Sequence, residues 1–401
     1  MADDGTIPGK YIVVLRDQVQ DVDSEADRLA GKHGLARDDE DRQHVYYAAV
    51  RGFAARMSAV QAAALAKEPS VAFVSPDRVV RAIGKPGGGT APQPAQVVPD
   101  GIARVGANGL SNTGTGIGVA VIDTGIDLTH PDLQSNIAGD VTFVRRTKSG
   151  NDDNGHGTHV AGTIAALNNG IGVVGMAPQA KLYAVKVLDR NGNGTWSSVI
   201  AGVDWVAQRA GTIRVANMSL SGYGTSDNNC GKTNQDALHQ AICGARDKGV
   251  TFVVAAGNSA TDASTSAPAS YKDAVITVSA LADSDGKPGH LGLTTSSGAD
   301  DTFAAFSNFG SVVDIAAPGV DIYSTWKGGT YGTISGTSMA TPHVTGAAAL
   351  YIRSQLNAGV SPNWTQIRDA LIAAGYPQGS LDGFTGDPDV FHEPLLYAGG
   401  L

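Results

Sequence analysis

From Ala95 onward, short apolar runs rich in β-branched residues alternate with stretches of helical periodicity, and few folds accommodate that alternation. The runs fall at residues 118–122, 181–187, 215–219, 250–255, 275–280 and 313–316. Helical patterns fall at 156–167, 197–209, 234–248, 337–355 and 364–373. A strand that is apolar along its whole length is buried on both faces, which requires helices above and below it. The expected architecture of residues 95–401 is therefore α/β: a three-layer, doubly wound, mostly parallel sheet. Such sheets bind ligands beyond the carboxyl ends of their strands.

Residues 8–82 read as a separate, smaller unit. Strand patterns at 11–15, 45–49, 53–54 and 71–74 are interleaved with helical patterns at 24–30 and 58–66. The order strand-helix-strand-strand-helix-strand predicts a ferredoxin-like α+β sandwich. Residues 83–94 join the two units and are rich in glycine and proline, which predicts a flexible linker open to proteolysis.

Three glycine-flanked segments carry the chemistry: Val121-Ile-Asp-Thr-Gly125, Asn154-Gly-His-Gly-Thr-His159 and Gly336-Thr-Ser-Met-Ala340. Each holds one member of a candidate triad. A serine hydroxyl is a poor nucleophile near neutral pH and needs a base, which in turn needs a carboxylate to fix its tautomer. Asp123 ends an apolar run, whereas Asp127 and Asp132 do not. A fourth segment, Val253-Val-Ala-Ala-Gly-Asn258, brings an amide to the end of a strand.

The chain order Asp, His, Ser, with these flanking residues, resembles the subtilisin-like serine proteases (subtilases). Pro8-Gly-Lys-Tyr-Ile-Val-Val-Leu15 and residues 71–78 are similar to the subtilase prodomain, an inhibitor and folding aid of its own enzyme. The resemblance implies a secreted serine endopeptidase made as a zymogen. Ser338 would be the nucleophile, His156 the general base, Asp123 its orienting group and Asn258 a donor to the oxyanion. Protein or peptide substrates, and the prodomain itself, would lie as extended strands along Ser219, Leu220, Ser221 and Gly222. Ala256 and Gly257, with Ala255 and the segment Ser266-Ala267-Pro268, would line the primary pocket. Their small, uncharged walls favour apolar or aromatic residues before the scissile bond.

The resemblance also implies structural calcium. Residues 166–173 match a family loop in which the Asn169 side chain and the carbonyls of Leu167, Ile171 and Val173 bind the ion, with Asp132 and Gln96. Hard oxygen ligands on a flexible loop suit calcium. A second acidic stretch, residues 282–286 with Asp300 and Asp301 beyond, resembles half an EF-hand loop but lacks the closing glutamate. It reads equally as a solvated surface loop.

Other readings fit less well. Gly114-Thr-Gly116-Ile-Gly118 precedes a strand, whereas a dinucleotide fingerprint follows one. His156-x-x-His159 lacks the glutamate of the zinc-protease helix, so His159 and His343 read as packed helix residues. Esterases using the same triad place serine in Gly-x-Ser-x-Gly, and inactive relatives lack one of the four residues present here.

The formal net charge of −9 and the lack of long basic stretches argue against nucleic acid. No apolar run approaches the ~20 residues of a membrane helix, and a monomer is expected. Met1-Ala2-Asp3-Asp4 has neither the basic start nor the apolar stretch of a signal peptide; because the family it resembles is mostly exported, the resemblance implies that Met1 replaces a removed signal. Cys230 lies in a polar loop. Cys243 lies on the apolar face of the 234–248 helix, with Thr233 as its candidate cap. A loop cysteine facing a helix cysteine fits a disulfide; in a reducing compartment the pair would be two buried thiols.

Overall fold

The computed structural model describes residues 4–35, 42–84 and 93–401. Most of the expected linker, residues 85–92, lies outside the described residues. The larger sheet runs in the spatial order Ile137–Thr142, Lys181–Lys186, Gly118–Asp123, Ile213–Met218, Thr251–Ala255, Val275–Ala282. All of these neighbours pair in parallel. Ile315–Pro318 adds in parallel to Val275–Ala282, and Thr302–Phe303 pairs antiparallel with the same strand. The sheet is thus three-layer, doubly wound α/β. The chain runs outward on one side of Gly118–Asp123 and then returns to build the other, so the switch point lies beside Asp123.

The unbroken apolar strands have the physical consequence expected of them. Val119 and Val121 point into one core with helices His156–Ala165 and Thr337–Asn357, which contribute Val160, Ile164 and Val344. Ala120 and Ile122 point the other way, into a core with helices Trp196–Ala207 and Ala237–Arg246. Both faces are dry. At roughly 1.5–3 kcal/mol for each fully buried Val, Leu or Ile side chain, this double burial dominates the sheet's stability.

The N-terminal unit has strands Thr6–Leu15, Arg42–Tyr46, Gly52–Arg56 and Val71–Ala82, with helices Val22–His33 and Ala59–Leu65. Its antiparallel sheet places the first strand between the third and fourth, with the second on the outside. That is the ferredoxin-like arrangement. One sheet face packs Val13, Leu15, Phe53 and Val71 against Leu29 and Leu65 of its own helices. The opposite face, with Ile12, Val14, Tyr46 and Phe73, shares a core with helices Trp196–Ala207 and Ala237–Arg246.

Polar contacts complete that junction. Asp77 accepts from Ser197 N at 3.0 Å and Ser197 Oγ at 2.6 Å. Asp204 Oδ1 accepts from the N–H groups of Tyr47, Ala48 and Ala49 at 3.0, 2.6 and 2.7 Å. Gly244, inside its helix, allows the chain to approach this closely: a Cβ there would lie 1.9 Å from the Ala49 carbonyl oxygen.

Several local features depart from the sequence reading. The helix expected from residue 234 begins at Ala237, and its cap is Asp236, not Thr233. Asp236 Oδ1 accepts from Leu238 N and His239 N, while Thr233 N donates to Asp227. Asp236 occupies the N-cap position itself, so its carboxylate reaches the N–H groups of the first turn, whereas Thr233 lies three residues upstream. The strand expected at 71–74 continues to Ala82. Strand Ile137–Thr142 and the hairpin Ile322–Trp326 with Thr330–Ile334 lack a clean apolar pattern: Gly139 and Asp140 interrupt the first, the buried polar residues Ser324 and Thr325 the second, and Gly332 the third. Cys230 and Cys243 form a disulfide, with Cα atoms 5.8 Å apart. Among the described residues no helix is long and apolar enough to cross a membrane.

Candidate active site

Asp123 ends strand Gly118–Asp123 with its side chain fully buried. Its Oδ1 accepts from Thr124 N at 2.7 Å and from His156 Nδ1 at 2.8 Å. Oδ2 is buried with no hydrogen-bond partner among the described residues. His156 opens helix His156–Ala165. Burial alone would lower the imidazole pKa. The Asp123 carboxylate outweighs it by charge and by hydrogen bond, with Asp152 adding to the effect, and the pKa is raised above its ordinary value.

Asp152 carries no sequence signal beyond its place before a glycine-rich helix start, yet it holds that start in position. Its two oxygens accept from Asn154 N, Gly155 N, Thr158 N and Thr158 Oγ1 at 2.6–3.0 Å. Lys186 is fully buried and reaches past Asp123. Its Nζ donates to the carbonyls of Thr124 and Leu188 and to Asp153. Neither residue stands out in the sequence.

Ser338 lies in the first turn of helix Thr337–Asn357 and is fully buried. Its hydroxyl donates to the Ser219 carbonyl at 3.2 Å. His156 Nε2 has no hydrogen-bond partner among the described residues. The backbone of residues 83 and 84 lies in this part of the cleft: a Cβ on Gly84 would be 3.3 Å from His156 Cδ2 and 3.4 Å from Nε2.

Asn258 follows strand Thr251–Ala255 across Ala256 and Gly257. Its Oδ1 accepts from Thr337 N at 2.9 Å and Thr337 Oγ1 at 2.8 Å. Its Nδ2 donates to the Ile83 carbonyl at 3.3 Å. Gly257 adopts φ +114°, and a Cβ there would lie 2.4 Å from Asn308 Nδ2. Asn308 braces this wall, donating to Ala256 O at 3.0 Å and accepting from Ser259 N at 2.9 Å. Only the structure singles out Asn308.

Strand Val71–Ala82 ends in a groove with a strand on each side. Leu220 and Ser221 pair antiparallel with Ala82 and Arg81. Asn193–Thr195 pairs antiparallel with Arg81, Val80 and Val79 from the other side. Ile83 N then donates to the Ser219 carbonyl at 3.4 Å. Gly222 pairs onward with Ala267.

The loop 167–173 docks on residues 94–97 through the Ala95–Ile171 and Val97–Val173 bridges. Gln96 Oε1 accepts from Asn169 N and Gly170 N at 2.9 and 2.7 Å, and Asn169 Oδ1 accepts from Ile171 N at 3.1 Å. Asp132 Oδ2 accepts from Val173 N at 3.0 Å and Tyr331 OH at 3.3 Å. Asp132 Oδ1 is buried with no hydrogen-bond partner, and burial pushes this carboxyl up to about 6. The donors are all oxygen, and one of them is orphaned, which fits a hard cation.

His159 is fully buried, with Nε2 donating to the Ile322 carbonyl at 2.9 Å; burial lowers its pKa to about 3. His343 Nδ1 donates to Met339 O within its own helix.

Residues 114–386 match the subtilase family, and residues 10–82 match the peptidase inhibitor I9 family. Subtilisin NAT of Bacillus subtilis subsp. natto is 40% identical over 373 residues, covering 90% of this chain and 84% of that protein. Subtilisin Savinase of Lederbergia lenta is 45% identical over 293 residues, covering 72% of this chain and 95% of that protein. The crystal structure of a cold adapted subtilisin-like serine proteinase aligns with a TM-score of 0.60 at 36% identity. It covers 75% of this chain and 97% of that one. The chain therefore belongs to the subtilase family: it is a serine endopeptidase of subtilisin type preceded by its own I9 inhibitor domain.

Proposed function

We propose that this endopeptidase is a self-processing zymogen whose first substrate is its own Ile83–Gly84 bond. The observation that carries the reading is the contact of Asn258 Nδ2 with the Ile83 carbonyl oxygen, at 3.3 Å. An amide aimed at one carbonyl oxygen, beside a buried serine and a histidine–aspartate pair, is what an acyl-transfer site needs.

In this mechanism Ser338 Oγ attacks the Ile83 carbonyl carbon while His156 Nε2 takes its proton. Asp123 holds His156 Nδ1–H and stabilises the imidazolium. The carbonyl oxygen becomes an oxyanion, with Asn258 Nδ2 donating to it. A neutral donor suits the task because it cannot compete as a base. His156 then protonates the Gly84 nitrogen, the C–N bond breaks, and an acyl-enzyme on Ser338 remains. Water, deprotonated by the same histidine, releases Ile83 as a carboxylate.

Substrates in trans would take the place of residues 79–83, held by backbone pairing with Ser219–Gly222 and Asn193–Thr195. The small residues Ala256 and Gly257 support a preference for apolar or aromatic side chains before the scissile bond, and Ile83 is apolar. A calcium ion would be held by Gln96, Asp132, Asn169 and the carbonyls of Leu167, Ile171 and Val173. It would supply positive charge to the buried Asp132 and rigidity to the loop. The disulfide supports an oxidising destination outside the cell.

Purified wild-type chain should separate into a fragment ending at Ile83 and a larger one whose first residue is Gly84, while Ser338→Ala stays intact. Ala95-Gln96 resembles the family's mature start, so later trimming of residues 84–94 would show as a second, slower species. Processing of purified Ser338→Ala at the wild-type rate would sink the reading.

A further inference from the structure

A second acidic centre lies away from the cleft, at the neck of the loop between strands Val275–Ala282 and Thr302–Phe303. Asp283 directly follows the first strand, and Asp300 stands two residues before the second. One carboxylate oxygen from each of Asp283, Asp285 and Asp300 lies within 4.8 Å of the others. Calcium binds oxygens at about 2.3–2.6 Å, so donors on opposite sides of one ion stand about 5 Å apart. The three carboxylates already fit inside one coordination shell.

The independent sign of a ligand is Asp283. Its side chain is 1% exposed, and its Oδ1 has no hydrogen-bond partner among the described residues. The nearest cation is Arg104, with Nε 3.8 Å from that oxygen. That N–H is committed elsewhere, donating to Asp301 Oδ1 at 2.7 Å, and Nη2 donates to the carbonyls of Asp382 and Gly383. Asp300 is also buried, accepting from Ser284 and Gly292, and Asp285 accepts from Lys287 N. One guanidinium cannot balance four neighbouring carboxylates, and an isolated buried charge is costly.

We propose that Asp283, Asp285 and Asp300 hold a calcium ion that closes the neck of the 283–301 loop. Three carboxylate donors at the neck of a glycine-containing loop suit calcium over zinc, which prefers nitrogen and sulfur, and over magnesium, which demands a smaller, rigid octahedron. Without the ion the cost falls on Asp283. Burial then pushes its carboxyl up to about 8, Arg104 pulling the other way. The consequence lies at the loop's tip, where Leu291 and Leu293 are 86% and 82% exposed. Two bare leucines on an open loop would be cut by the enzyme itself. An ion at the neck keeps that loop closed.

The test uses the full Ser338→Ala chain, which cannot digest itself. Calcium bound per chain is counted by equilibrium dialysis, and chymotrypsin cleavage at Leu291 and Leu293 is followed with calcium, with magnesium and with chelator. One calcium ion should survive Asp132→Asn, which removes a ligand of the other proposed site. That ion should be lost with Asp283→Asn/Asp300→Asn. Asp285→Asn disturbs no buried group and serves if the double variant misfolds; it should weaken the site at least 10-fold. Calcium, and not magnesium, should slow cleavage at the two leucines. No bound calcium in folded Asp132→Asn overturns the proposal. So does unchanged affinity in Asp285→Asn, or a cleavage rate indifferent to calcium.

Discussion

Thr337 holds Asn258 by one end. Its backbone N–H and its hydroxyl both donate to Asn258 Oδ1, so Nδ2 is the end turned to the Ile83 carbonyl. Thr337 also precedes Ser338, so the proposed donor and the proposed nucleophile are registered to one helix turn. Gly257 N donates to Thr337 Oγ1 and ties the same hydroxyl to the pocket wall.

Thr337→Val keeps the size and the backbone bond but removes the hydroxyl that holds the amide. Turnover of a peptide substrate should fall about 10-fold with little change in KM, since the lost alignment matters most when charge develops on the oxygen. Asn258→Leu should cost more, about 100- to 1000-fold in kcat, the magnitude that loss of the corresponding donor has in subtilisin itself. Equal kcat for Thr337→Val and the parent would refute the positioning role.

The rate should follow the protonation of His156. The pKa is raised because the Asp123 charge and hydrogen bond overcome burial, and only the neutral ring can take a proton. Activity should therefore be less than half-maximal at pH 6.5 and rise as pH passes the raised value. Asp123→Asn removes the charge and leaves burial, so the ascending limb should move to lower pH while kcat collapses. The check is kcat/KM for an uncharged peptide from about pH 5 to 9.

Gly244→Ala adds a methyl where the Ala49 carbonyl rests on the helix. Alanine favours the helix itself, so the catalytic domain should lose no stability. The prodomain must move, at a cost of about 1–3 kcal/mol. After cleavage it should dissociate about 10- to 100-fold more readily, shortening the lag before activity appears toward a small chromogenic peptide. Asp204→Ala, which strips three N–H groups of their acceptor, should act in the same direction.

Calcium removal should lower the melting temperature of the Ser338→Ala chain, and Asp132→Asn should shrink that difference. A cation at 100 times its Kd adds about 2.7 kcal/mol to the folded state. Identical melting curves for parent and variant, with and without chelator, would remove the Asp132 site.

Much of this arrangement is legible in the sequence where one short segment suffices. Asp123 is marked by ending an apolar run, and the strands around it by having no polar side. The helix after Gly155 and the one after Gly336 begin where small residues crowd together. What the sequence hides is contact between distant segments. Asn308 sits in an ordinary loop until the fold brings it against Gly257. Asp152 shows its meaning only when its acceptors meet the helix start. Strand Ile137–Thr142 carries Gly139 and Asp140 in the middle of its run because it lies at the sheet's edge, half in water. The neck of the 283–301 loop is legible only in part, since its pairing of Asp283 with Asp300 depends on two strands lying side by side.

The groove that receives Arg81 and Ala82 has a strand on each flank, Leu220–Tyr223 on one and Asn193–Thr195 on the other. A visiting segment must therefore offer both margins of its backbone at once. A strand already stitched into a sheet has at most one margin free, and a helix has none. On the proposed reading the site would select an extended segment free on both margins before it reads any side chain, which the end of a strand running out beyond its own sheet supplies and a strand paired on either margin does not.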